Sequence, residues 1–100
     1  MYRLRGFFLL FFLMAHFCFA ADVNDLLFKG ADYHYRGKLT EAAAAFKQVL
    51  KIDPQNEFAL NQLGLIYAKQ GKFDLAHRQF AKVVQISPDN TFARIWLGVL

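Results

Sequence analysis

The chain has 100 residues, a net charge of +4, 56% hydrophobic residues and a single cysteine. That length allows one small domain, and one cysteine excludes both an intrachain disulfide and a thiolate metal cluster. Arg3 and Arg5 supply two of the four net positive charges, and the remaining +2 includes no Lys/Arg-rich run to hold a phosphate backbone, so nucleic acid is not an expected partner.

Residues 1–20 read as a secretory signal. Arg3 and Arg5 precede an apolar run from Phe7 to Phe17, interrupted only by His16, and Cys18-Phe19-Ala20 follows. This is the order of a charged start, an apolar stretch and a small-x-small site, with cleavage expected between Ala20 and Ala21. Counted on to Ala21, the nearly apolar stretch is about fifteen residues long, short of the ~20 that span a bilayer. An uncleaved membrane anchor is the alternative reading. Cys18 lacks a small residue directly before it, since Phe17 and Phe19 flank it, which argues against a lipid-attachment site.

Five helices are predicted after the signal. The first runs from Asp22 to Arg36 with Leu26, Gly30 and Tyr33 at helical spacing, and Gly37 ends it. The second, Thr40 to Ile52, contains four consecutive alanines and an inward stripe of Ala42, Phe46, Val49 and Leu50. Asp53-Pro54 stops it. The third, Phe58 to Gln70, carries Leu60, Leu63, Gly64 and Tyr67 on one side, and Gly71 breaks it. The fourth, Phe73 to Ile86, turns Ala76, Phe80, Val83 and Val84 inward and stops at Ser87-Pro88. The fifth begins at Thr91 and runs to Leu100. Asp53, Asp74 and Asp89 fall near helix ends, where capping and the helix dipole account for them.

A shift of 34 residues brings the chain onto itself. It pairs Leu26 with Leu60, Gly30 with Gly64, Tyr33 with Tyr67, Gly37 with Gly71 and Ala42 with Ala76. It continues through Phe46/Phe80, Val49/Val83 and Pro54/Pro88, and again through Phe58/Phe92 and Leu63/Leu97. The order Leu60, Leu63, Gly64, Tyr67, Ala76, Phe80, Pro88 closely resembles the tetratricopeptide repeat (TPR) family, over residues 23–100. The resemblance implies an all-α solenoid of antiparallel helix pairs, with repeats at 23–56 and 57–90 and the first helix of an incomplete third repeat at 91–100. It also implies a right-handed superhelix with a concave groove. In that packing Gly64 is expected to face Ala76 where the two helices of a repeat cross, with Tyr67 and Phe80 filling the space on either side. Lys29 departs from the pattern, standing where later units have Leu63 and Leu97, as an outer polar residue on a capping repeat would.

Residues 95–100 are apolar and have no second helix of their own unit, which suggests a piece of a longer protein, or an end covered by a partner or a second copy. No enzyme is expected within these residues, and no cofactor or metal. His16, His34 and His77 have no metal-ligand spacing, and Gly64 and Gly71 are accounted for by the repeat.

The first helix of each unit lines the concave face in TPR proteins. Carried over by register, the groove has Asn24, Leu27, Ala31, His34 and Tyr35 in the first unit. The second gives Phe58, Asn61, Leu65, Ala68 and Lys69, and the third Phe92, Ile95 and Val99. The two-carboxylate clamp of TPR domains that hold chaperone tails is missing in this register, because Leu27 and Ala31 stand where it needs Lys and Asn. The expected partner is a protein or peptide segment with apolar anchors. The expected role is an exported, periplasmic or secreted, interaction scaffold that aids assembly of a cell-envelope complex. The rivals are a docking or regulatory module of a longer exported enzyme, and a membrane-anchored TPR protein.

Overall fold

The computed structural model describes residues 22–100. The expected signal, its cleavage site at Ala20–Ala21 and Cys18 lie outside the described residues. Residues 22–35 form helix α1. It is followed by α2 (Leu39–Ile52), α3 (Glu57–Lys69), α4 (Phe73–Ile86) and α5 (Thr91–Val99). The helices of each unit pack as a hairpin, and α2 packs on α3 and α4 on α5 to stack the units. The all-α solenoid expected from the repeat is the observed fold. No helix among the described residues is long and apolar enough to cross a membrane.

The hairpin turns are the same device used twice. Gly37 and Gly71 both have φ of 76°, the left-handed region open to glycine. At each turn the glycine N–H donates to the carbonyl three residues back, His34 or Ala68, at 3.0 Å. The following N–H, of Lys38 or Lys72, donates to Tyr33 or Tyr67 at 2.8 Å. These paired bonds satisfy carbonyls that a helix end leaves free. The turns between units use proline instead. Asp53 and Ser87, directly before Pro54 and Pro88, leave the helical region with ψ of 86° and 90°.

Capping falls to asparagine rather than to the aspartates singled out above. Asn56 Oδ1 accepts the N–H of Ala59 at 2.9 Å, and Asn90 Oδ1 accepts that of Ala93 at 3.0 Å. Asn has the short side-chain oxygen this position needs. Asp53 instead accepts from Asn56 Nδ2 at 3.2 Å, which steadies the capping residue. Asp74 sits in the first turn of α4, where the dipole favours it, and Asp89 lies in the turn before α5.

The core follows the repeat. Ala42 and Ala76, Phe46 and Phe80, Val49 and Val83 are fully buried pairs, one set per unit, and Ala59 and Ala93 do the same at the unit interfaces. At the crossing of the two helices a phenylalanine ring lies nearest each glycine. A Cβ on Gly64 would meet the Phe80 ring, at 2.7 Å from Cζ, and one on Gly30 would meet Phe46 at 2.8 Å. The nearest neighbour of each helix-crossing glycine is therefore a phenylalanine ring, not the alanine. The missing side chain makes a seat for the ring.

The outer edge of α1 is polar where α3 is buried. Ala59, Leu63 and Ile66 are buried, while Asp25, Lys29 and Asp32 at the corresponding places of α1 are exposed. Lys29 pairs with Asp25 at 3.0 Å and Arg36 with Asp32 at 3.3 Å, each one helical turn apart. The hydrogen bond and charge of Asp25 raise the pKa of the Lys29 ammonium. Surface pairs of this kind keep an edge solvated and add little stability.

Candidate functional site

Two clefts open on the face carried by α1, α3 and α5, and the 34-residue step relates them. The first, about 470 Å³, lies between α1 and α3 and is lined by Ala31, His34, Tyr35, Phe58, Gln62 and Lys69. The second, about 570 Å³, lies between α3 and α5, with Phe73 of α4 at its edge. Its lining is Leu65, Ala68, Lys69, Phe73, Trp96, Val99 and Leu100. One step carries Ala31 to Leu65, His34 to Ala68, Tyr35 to Lys69 and Gln62 to Trp96. The backbone frame is thus repeated while the chemistry changes. The first cleft is polar and aromatic, and the second is almost wholly apolar.

The first cleft is organised by His34. Its Nδ1 lies 2.9 Å from Gln62 Oε1, and its Nε2 lies 2.9 Å from Lys69 Nζ. An ammonium has only donors and an amide oxygen only accepts. Both contacts are satisfied by one form of the ring, with Nδ1–H donating to Gln62 and Nε2 accepting from Lys69. This chain of contacts ties α1 to α3 across the unit boundary. Among the described residues only Lys29 and Arg36 pair with carboxylates; what sets Lys69 apart from the other unpaired cations is its contact with His34 and its place at both clefts.

The aromatic residues at the mouths serve two surfaces. Phe58 is 50% exposed, yet its ring meets that of buried Phe46 edge-on at 6.1 Å. Phe92 repeats this against Phe80, also at 6.1 Å. Trp96 stacks on Phe80 with centroids 5.8 Å apart and planes 6° from parallel. One face of Trp96 thus rests on the core while the residue borders the second cleft. Such stacking holds a large apolar surface at fixed orientation.

Of the residues expected in the groove, the structure brings Ala31, His34, Tyr35, Phe58 and Lys69 together at the first cleft, and Leu65, Ala68, Lys69 and Val99 at the second. Tyr35 is 94% exposed. Leu27, Asn61 and Ile95 form a separate column that lines neither cleft. Leu27 is half-buried against the core, Asn61 is half-buried and Ile95 is exposed. Phe92 lines neither cleft and packs on Phe80 and Trp96. The register reading did not place Gln62, Phe73 and Trp96 in the groove, although Gln62 and Trp96 are related by the repeat step. A search of the first helices for columns of equal spacing finds Phe28, Gln62 and Trp96 as one of them.

Paired helices repeated at fixed spacing, with side-chain clefts between successive first helices, define a helical-repeat binding module. Family models agree. A TPR repeat model matches residues 30–71, and a tetratricopeptide repeat model matches residues 57–90. Together they span residues 30–90, and the chain belongs to the tetratricopeptide-repeat proteins. None of the curated proteins compared with it matches. Repeats of this family serve as protein–protein interaction modules.

Proposed function

We propose that the chain is an exported interaction scaffold. The face of α1, α3 and α5 binds a segment of a partner protein and aids assembly of a cell-envelope complex. The observation that carries the binding half is the pair of repeat-related clefts, which place exposed Tyr35, half-exposed Phe58 and partly buried Trp96 on a frame fixed by buried phenylalanines. Rigid aromatic groups at cleft mouths bind at low entropic cost. The order of charge, apolar run and small residues in 1–20 supports export.

One experiment addresses both halves. A photo-crosslinking residue is placed at Tyr35 or, as control, at the exposed His77 of α4 in cells producing the protein. Envelope adducts should form at position 35 and not at 77, and the mature chain should begin at Ala21. Equal adducts at both positions would reject the binding face. An intact Met1 on cytosolic protein would reject export.

A further inference from the structure

We propose that the second cleft and Lys69 together select a segment that joins a bulky apolar side chain to a carboxylate. The inference rests on the binding-face reading above and names its ligand chemistry. The apolar side chain enters between Leu65, Ala68 and Trp96, and the carboxylate meets the Lys69 ammonium at the rim.

Three features of the cleft and of Lys69 lead to this ligand. The cleft has an apolar lining broken by one charged residue, Lys69. That ammonium has no carboxylate partner among the described residues and rests against a neutral acceptor, His34 Nε2, at 2.9 Å. A carboxylate is a stronger partner for an ammonium than an imidazole nitrogen is, because the hydrogen bond is then between opposite charges. Lys69 also borders both clefts, so it stands where a segment crossing from one unit to the next must pass. An extended segment advances about 3.3 Å per residue, which puts the acid within roughly two residues of the apolar anchor. A basic segment would meet Lys69 with like charge, and a purely apolar one would leave the cation without a counter-charge. A single carboxylate is expected, since the lining offers one cation.

The test is a selection from a random peptide library on the mature chain from Ala21 onward, immobilised through a tag added at its N-terminus. Selected sequences are then made as matched synthetic peptides with Glu, Gln or Lys at the acidic position. Trp96 is the only tryptophan, so its fluorescence reports directly on the cleft. Selected peptides should pair Phe, Leu or Trp with Asp or Glu and shift Trp96 emission. Glu→Gln in the peptide should weaken binding about fivefold, as loss of a partly exposed ion pair does. The Lys69→Glu variant should reverse the preference, so that the Lys peptide binds more tightly than the Glu peptide. Because Lys69 is exposed, that variant should keep the helical circular dichroism of the parent. Peptides that shift Trp96 but show no charge preference, or none that Lys69→Glu reverses, would overturn this ligand and leave the binding face standing. Peptides that bind without moving Trp96 and are indifferent to Lys69→Glu, or a selection that yields none, would overturn both.

Discussion

Phe80→Ala is expected to cost about 3–5 kcal/mol, the range for removing a fully buried phenylalanine. Phe80 has no exposed surface, seats in the space left by Gly64, stacks on Trp96 and meets Phe92 edge-on. Its loss therefore opens a cavity that touches α3, α4 and α5 at once. A domain of this size has only about 5–15 kcal/mol of total stability, so the variant should lie close to unfolding at room temperature. Urea unfolding followed by circular dichroism measures the loss. Phe58→Ala is the control: it removes a ring of the same size that is half exposed and meets one core ring, and should cost less than half as much. A loss for Phe80→Ala below about 1 kcal/mol, the size of a surface change, would contradict the core described here.

Gly64→Ala is the second large effect, and its sign depends on its neighbour. Alanine favours helix over glycine by about 1 kcal/mol. Opposing that, the added Cβ would sit 2.7 Å from Phe80 Cζ and 2.9 Å from both Cε atoms. The ring is buried on every side and cannot retreat without disturbing Trp96 and Phe92. Overpacking of this kind costs about 1–3 kcal/mol, so a net destabilisation of roughly 1–2 kcal/mol is expected. In a Phe80→Leu background the ring is gone and only the helix preference remains. Gly64→Ala should then be neutral or stabilise by up to about 1 kcal/mol. The four proteins of this cycle, compared by urea unfolding, isolate the contact. The same change in both backgrounds would mean that the ring does not define the need for glycine.

These two residues also mark how far the sequence could be read. The repeat step was legible because a solenoid uses one backbone frame again and again, so Phe46/Phe80 and Gly37/Gly71 recur at one spacing. Burial of the Phe46/Phe80 column followed from helical periodicity alone, and the glycines mark the exposed turns. Which side chain crosses which was not legible. Periodicity assigns a residue to a face of its own helix, and whether Gly64 meets Ala76 or the Phe80 ring depends on the crossing geometry. The caps were within reach, since Asn56 and Asn90 recur and are favoured capping residues. Placing the start of α3 at Phe58 instead of Glu57 hid the role of Asn56.

The groove was legible in part for the same reason. Register marked His34, Tyr35, Phe58, Leu65 and Lys69, and each borders a cleft. It did not reveal that His34 reaches Gln62 and Lys69 on the next unit, because that depends on the rotation between units and on side-chain length. Nor did it separate Leu27, Asn61 and Ile95, one helical face away, from the residues that line the clefts. Trp96 was not assigned to the groove, and its stack on Phe80 turns it into a cleft wall.

One face of the array is expected to bind and the other is not. This is tested most directly by two-dimensional NMR of the isotope-labelled chain, titrated with the partner segment recovered from crosslinks at position 35. The largest shifts should fall on His34, Leu65, Lys69 and the Trp96 indole. Largest shifts on the exposed Glu41, Lys47, His77 and Lys82 of α2 and α4 would contradict it.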